Sequence, residues 1–155
     1  MHRPIQIANY FIQKSFDDGS EITPMKVVKL VYIAHGYYLA LTEGAPLIKE
    51  RVEAWPYGPV IPSLYNAFKK YGRSDIKELW EDPETGEIES VSDPEIKLFL
   101  DKIWDAYGHL NGLQLSTLTH QRDTPWDKSK KKIGVGVIPN KDIQSHYSGL
   151  MTHLY

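Results

Sequence analysis

The fold is decided by residues 24–42, PMKVVKLVYIAHGYYLALT, which predict a helix that is apolar on nearly every side. Thr23 offers a hydroxyl as the N-cap, and Pro24 follows at the first helical position, where its missing N–H does no harm. A helix with so little polar surface belongs in the middle of a domain. Gly36 costs this helix about 1 kcal/mol relative to alanine. It therefore predicts the close approach of a neighbouring helix, with a functional opening beside His35 as the alternative.

Shorter elements are predicted on both sides of this central helix. Hydrophobic spacing and helix-start signals predict further helices at residues 4–16, 62–71, 94–107, 112–121 and 139–148, the third of them opened by a capping box of Ser92 and Glu95. Two hairpins are predicted, one in PLIKERVEAW around residues 49–51 and one in residues 75–91 around DPETG, while YGPVIP is predicted as a turn. The sequence therefore predicts one compact, predominantly helical α+β domain over residues 1–155, with five to seven helices and one or two short β-hairpins.

Composition excludes several classes of protein. The chain has no cysteine, so it has no disulfide, no cysteine-rich zinc site and no cysteine nucleophile. Its net charge of −2 gives no general attraction to nucleic acid or to anionic membranes.

The N-terminus lacks the apolar core of a signal peptide. The most hydrophobic segment is interrupted by Lys29 and Gly36 and falls short of the roughly 20 apolar residues that a membrane span needs. These features predict a cytoplasmic protein.

The histidines do not form a recognised metal-binding pattern. None of the six shows the helical spacing of a zinc protease, so we predict no metal and no cofactor. His35 is interpreted as a hydrogen-bonded core residue. Glu53 lies on a predicted strand, where a partly buried carboxylate most commonly pairs with Lys or Arg. One alternative stays open, namely an enzyme or a phage-associated nucleic-acid-binding protein that uses His35, His120 and Glu53.

Two weaker signals also bear on nucleotides and nucleic acids. KKIGVGVIP contains Gly134 and Gly136 but lacks the other glycines and the lysine of a P-loop, so we interpret it as a turn or a bulge. The basic run DKSKKK, residues 127–132, is interpreted as solvated surface. No predicted helix carries the Arg/Asn/Gln-rich face that reads DNA, so direct nucleic-acid binding is not favoured.

The strongest functional signal is a pair of segments rich in aromatic residues and proline. They are AWPYGPVIP, residues 54–62, and LTHQRDTPW, residues 118–126. Prolines hold a turn in one shape, so little conformational entropy is lost when a partner binds. Tyrosine and tryptophan are favoured anchors at protein interfaces. The two segments are equally consistent with rigid corners between elements and with corners that also bind a partner.

The same residues carry a resemblance to a known family. MKVVKLVYIAHGYYLAL, PLIKERVEAWPYGPVIPSLYNAFKKYG and LSTLTHQRDTPW together resemble the Panacea antitoxin domain, also described as the phage-associated GepA/SocA-like family, over roughly residues 5–147. The resemblance implies a non-enzymatic antitoxin of a type II-like toxin–antitoxin pair. Such a protein neutralises a toxin, encoded by the adjacent gene, through direct binding. Members are paired with toxins of very different kinds, so the domain does not identify its partner.

The resemblance directs attention to one surface. The candidate toxin-binding residues lie on the two aromatic segments and on the helix between them: Trp55, Tyr57, Pro59, Leu64, Tyr65, Lys69, His120, Asp123 and Trp126. The acidic hairpin at residues 78–89 is predicted as a second contact for a basic toxin. Many members carry an additional region, sometimes DNA-binding, whereas this chain begins and ends close to the domain, a departure that puts transcriptional autoregulation in doubt and leaves it undecided. A proteolytic adaptor that delivers a bound partner to a protease is an alternative, and homo-oligomer formation is left open.

Overall fold

The fold is built from helices that share one hydrophobic core. A computed structural model describes residues 1–130 and 136–155 of the chain. Over these residues the chain forms seven α-helices and three short strands. In chain order they are α1 (Pro4–Asp18), α2 (Pro24–Leu41), β1 (Val52–Trp55), β2 (Gly58–Val60), α3 (Pro62–Phe68), α4 (Pro94–Tyr107), α5 (Gly112–Thr119), α6 (Pro125–Lys130), β3 (Val137–Ile138) and α7 (Asn140–Ser148). Two short 3₁₀ turns follow α3 and α7, at Lys69–Tyr71 and Met151–His153. This architecture confirms the predicted, predominantly helical α+β class.

The α2 helix is the centre of the fold. It is buried along nearly its whole length and packs against α1, α4, α5 and α7. Its start follows the sequence prediction, because the hydroxyl oxygen of Thr23 accepts a hydrogen bond from the backbone N–H of Lys26 (3.3 Å) and Pro24 occupies the first helical position. The other helices therefore use α2 as a common packing surface.

Gly36 is the point of closest approach between α2 and α7. A Cβ atom at this position would lie 2.2 Å from the ring of Tyr147, far inside van der Waals contact. The ring of Tyr147 also packs against those of Tyr32 and Tyr37, with centroids 6.0 Å and 4.9 Å away. The close approach predicted from the glycine is therefore confirmed.

The small sheet has a different hairpin from the predicted one. Its antiparallel strands lie in the order β2, β1, β3, and β1 pairs with β2 through a turn at Pro56 and Tyr57. Residues 49–51, where the hairpin turn was predicted, lie outside the strands, so that prediction is wrong. The segment predicted as a turn instead contains β2. Gly58 begins β2 with φ +118°, a conformation that favours glycine, and this places the reversal before it.

Three further differences concern the second half of the chain. Residues 75–91 contain a single antiparallel bridge, between Glu81 and Ile88, rather than a pair of strands. The N-cap of α4 is Asp93 and not Ser92, because the carboxylate of Asp93 accepts the backbone N–H of Glu95 (2.9 Å). The α6 helix was not predicted at all.

Two sequence predictions fall partly outside the described residues. Lys131 and Lys132 of the basic run and Gly134 of the weak nucleotide signal lie outside the described residues. Within the described ranges, no helix is both long enough and apolar enough to cross a membrane.

Candidate binding groove

The two aromatic segments of the sequence contact each other in the fold. The indole Nε1 of Trp126 donates a hydrogen bond to the carbonyl oxygen of Trp55 (2.6 Å), which lies 71 residues earlier in the chain. The hydroxyl of Ser116 in α5 donates to the carbonyl oxygen of Tyr57 (2.7 Å). The β1–β2 turn is therefore fixed through its backbone carbonyls from α5 and α6, which leaves the side chain of Tyr57 free to project outward.

A groove of about 350 Å³ lies between this turn, α3 and the first turns of α2. Its walls are mainly aromatic and apolar. The lining includes Met25, Lys29, Trp55, Tyr57, Tyr65 and Lys69. The rings of Trp55 and Tyr65 pack edge to face, with centroids 4.9 Å apart. Tyr57 is open to solvent, with 73% of its surface exposed, and Met25 and Tyr65 are also exposed. The groove thus presents large apolar surfaces to solvent, as protein-binding sites do.

Lys29 lies at the floor of the groove. Only 3% of its surface is exposed, and its Nζ donates a hydrogen bond to the carbonyl oxygen of Pro59 (2.9 Å). Gly58 makes room for this ammonium group, because a Cβ at that position would stand 3.2 Å from Nζ. Burial disfavours the charged form and lowers the pKa of Lys29 to about 8.

The environment of Lys29 differs from that of the other buried lysine of α2. Lys26 donates to the carbonyl oxygen of Gly108 (2.5 Å), and although burial lowers its pKa, the nearby carboxylates of Asp18 and Asp75 oppose that effect. Burial alone accounts for the lowered pKa of Lys29. In the part of the chain that the structure describes, Lys29 forms no salt bridge. Among these residues it is therefore a buried cation without a counter-charge.

The candidate toxin-binding residues fall into three groups by exposure. Tyr57, Tyr65, Lys69 and Asp123 are exposed, Trp55 and His120 are half-buried, and Pro59, Leu64 and Trp126 are buried. The buried three offer little surface to a partner of the folded chain, so we interpret them as residues that support the exposed candidates from within the fold. Leu64 belongs to the main core cluster, Pro59 supplies the acceptor for Lys29, and Trp126 supports the turn from beneath.

The structure brings four of the candidates together and leaves two aside. Trp55, Tyr57, Tyr65 and Lys69 all line the groove. His120 packs edge to face against the ring of Trp126, with centroids 5.4 Å apart, and Asp123 follows it in the loop before α6. These two residues are not among the described residues that line the groove. Both belong to the second aromatic segment, whose Trp126 holds the turn.

The residues of the enzyme alternative serve separate local contacts. Nε2 of His35 hydrogen-bonds to the side-chain oxygen of Asn140 (3.0 Å), and burial lowers the pKa of His35, which agrees with its interpretation as a core residue. The carboxylate of Glu53 forms a salt bridge with Nε of Arg51 (3.4 Å), and pairing with Lys or Arg is the commoner outcome expected for Glu53 from the sequence. Among residues 1–130 and 136–155, no cluster of three histidine or acidic side chains could hold a metal ion. His35, His120 and Glu53 therefore do not form a common metal site in these ranges.

Sequence reasoning missed Lys29 and Met25 as parts of the groove. Lys29 was noted only as an interruption of the hydrophobic segment. The available signal was the position of Lys29 between Val28 and Leu30. A lysine on a helix that is apolar on every side has to be buried, or its side chain has to extend until the ammonium group reaches an opening in the packing. Met25 gives no such signal, since its exposure depends on the neighbouring turn.

Comparisons with known proteins identify one family. A family model described as antitoxin SocA-like, Panacea domain, matches residues 27–127, which contain Lys29, Trp55, Tyr57, Tyr65 and Lys69. The curated Antitoxin SocA of Caulobacter vibrioides (strain NA1000 / CB15N) is 30% identical to this chain over 126 residues. The alignment covers 78% of this chain and 66% of that antitoxin, slightly less than two thirds of its length. No solved structure matches the chain.

Proposed function

The chain belongs to the antitoxin SocA-like, Panacea domain family, and from that premise we propose that it is an antitoxin that neutralises a cognate toxin protein by binding it directly. The observation that carries the proposal is the family match over residues 27–127, supported by the similarity to Antitoxin SocA. The proposed role is non-enzymatic and requires no cofactor. The toxin is the product of the adjacent gene, and the two proteins meet in the cytoplasm.

The groove is the proposed binding surface. Tyr57 and Tyr65 offer exposed aromatic rings, and Trp55 supports the ring of Tyr65 from the side. Because Ser116 and Trp126 hold the turn through its backbone, little conformational freedom has to be lost when a partner binds. Exposed tyrosines on a rigid support are the kind of residue that dominates protein–protein affinity.

The acidic loop at residues 78–89 is the proposed second contact. It carries six acidic residues and no basic residue. Ile88 is 45% exposed beside them. A toxin that acts on nucleic acid is expected to be basic, so the loop would speed the encounter through charge attraction, an effect that weakens as the salt concentration rises.

The proposal is tested by co-expression with the protein encoded by the neighbouring gene. The neighbour alone should stop growth, and this chain should restore growth and co-purify with the neighbour. A harmless neighbour that forms no complex with this chain would contradict the antitoxin function.

The role of the groove is tested by Tyr57→Ala. We expect this substitution to weaken toxin binding by about 2 kcal/mol or more, since an exposed tyrosine anchor is lost. The fold should be unchanged, because the contact of Tyr57 with Ser116 is made by the backbone carbonyl. Binding is measured by calorimetry and folding by thermal denaturation.

Tyr155→Ala is the matched control for Tyr57→Ala. Tyr155 is 60% exposed and lies against Lys102 rather than in the groove, so its removal should leave binding intact. If both variants bind the toxin as tightly as the unsubstituted chain, the toxin binds elsewhere.

A further inference from the structure

The lining of the groove includes two lysines, Lys29 and Lys69, and none of the described acidic residues forms a salt bridge with Lys29. Lys29 uses one of its ammonium hydrogens for the carbonyl oxygen of Pro59, and its remaining donors have no recorded acceptor among the described residues. Lys69 adds a second positive charge at the exposed rim. No acidic residue is among the described residues that line the groove. The site therefore combines apolar walls with an uncompensated cation at its floor.

Such an arrangement is suited to a carboxylate that arrives with apolar neighbours. Leaving an ammonium group in a desolvated site costs free energy, as the lowered pKa of Lys29 indicates. A carboxylate placed beside Nζ would supply the missing charge through a charge-assisted hydrogen bond. The rings of Trp55 and Tyr65 would cover an aliphatic or aromatic side chain next to it. Lys26 shows the alternative within the same helix, because acidic residues of this chain already lie near it.

We propose that the groove binds an extended segment of the toxin, and that an aspartate or glutamate side chain of this segment enters the groove and pairs with Lys29. This inference rests on the proposed function, since it describes the part of the toxin that the antitoxin binds. A protein segment fits the site better than nucleic acid, because the walls offer apolar surface and the whole chain has a net charge of −2.

The first experiment does not require the toxin. A phage-displayed library of random peptides is selected on the immobilised full-length chain. We expect the enriched peptides to share an acidic residue next to an aromatic or aliphatic one. Each selected peptide is then compared with its Asp→Asn or Glu→Gln counterpart, which should bind at least about tenfold more weakly, because the counterpart cannot neutralise Lys29.

The second experiment changes the groove instead of the peptide. Lys29→Met removes the charge at similar volume and should weaken peptide binding by about tenfold or more. Lys97→Met removes an exposed positive charge from α4, outside the lining of the groove, and should have no effect. Thermal denaturation confirms that each variant is folded. If Lys29→Met does not fold, the amide-containing peptides still decide the question.

The outcomes separate this inference from the proposed function. No enrichment of acidic peptides would overturn the inference, and so would equal binding of the acid and amide forms or equal binding to Lys29→Met. If the neighbouring gene product still co-purifies with this chain in those cases, the antitoxin function stands and only the chemistry of recognition is wrong.

Discussion

Gly36 shows how one absent side chain sets the distance between two helices. The ring of Tyr147 occupies the space that a methyl group at position 36 would need. Helix propensity alone favours Gly36→Ala by about 1 kcal/mol. We nevertheless expect a loss of about 2 kcal/mol or more in the free energy of unfolding, because an added Cβ in a packed core forces α7 away.

Urea denaturation measures this loss, with Gly136→Ala as the control. A Cβ at position 136 would meet no described atom within 4 Å, so that variant should unfold close to the unsubstituted chain. A gain in stability from Gly36→Ala would mean that α7 can move without cost, contrary to the packing described here.

Lys29 should make stability depend on pH in an alkaline window. Its pKa falls from the ordinary value of 10.5 to about 8 in the folded chain. Between these values the unfolded chain binds the proton more tightly, so the free energy of unfolding rises as the pH is raised from about 8 towards 10.5. Below this window both states are protonated, and the destabilising effect of the buried charge is fully present.

Lys29→Met removes this dependence and serves as the reference chain. The unsubstituted chain should gain roughly 2 to 3 kcal/mol relative to Lys29→Met between about pH 7 and about pH 10. The free energy of unfolding is compared between the two chains at each pH, because tyrosine ionisation affects both chains alike. Parallel pH profiles would show that Lys29 is solvated in the folded state.

At the scale of elements, helices with a complete local signal could be predicted from the sequence. The Thr–Pro start and the apolar run identified α2, and hydrophobic spacing identified α1 and α4. The α6 helix was missed although the same signal precedes it, since the hydroxyl oxygen of Thr124 accepts the backbone N–H of Asp127 (3.3 Å) and Pro125 follows. This element was predictable, and its short length obscured the pattern.

The sheet and the groove depend on contacts that a local pattern does not contain. The β1 strand pairs with β3, which lies more than eighty residues later in the chain, and with β2 across a turn set by Gly58. The sequence identified the aromatic segments but not which of their rings face solvent. Trp126 looked like a surface anchor, yet its indole is needed to hold the carbonyl of Trp55.

Trp126→Phe tests the link between α6 and the β1–β2 turn. The substitution keeps an aromatic ring but removes the hydrogen bond to Trp55, so we expect a loss of about 1 to 2 kcal/mol in the free energy of unfolding. Toxin binding should also weaken, because the turn is held less firmly.

Trp80→Phe is the control for this variant. Trp80 is half-buried, and its indole nitrogen makes no recorded hydrogen bond within the described ranges, while its backbone N–H donates to Asn9 (2.9 Å). Equal losses of stability in the two variants would assign the effect of Trp126→Phe to reduced ring size alone.

At the scale of the molecule, the family match covers less than the folding unit. Residues 27–127 include most of α2 but omit α1 and α7, which both pack against it. A shortened chain of residues 27–127 would expose the apolar faces that Phe11 and Tyr147 bury. We therefore expect it to lack cooperative unfolding in urea, with circular dichroism as the readout. Cooperative unfolding at the same midpoint as the full chain would show that the core does not need α1 and α7.

The buried floor and the exposed rim of the groove differ in how freely their residues can be substituted during evolution. The floor of the groove is part of the central helix, so substitutions there alter folding and recognition together. The rim is formed by Tyr57, Tyr65 and Lys69, which are exposed and can vary at little cost to the core. If the proposed pairing with Lys29 holds, a lineage of such chains would exchange one partner for another by changing a few rim residues, and each new partner would still supply an acidic residue.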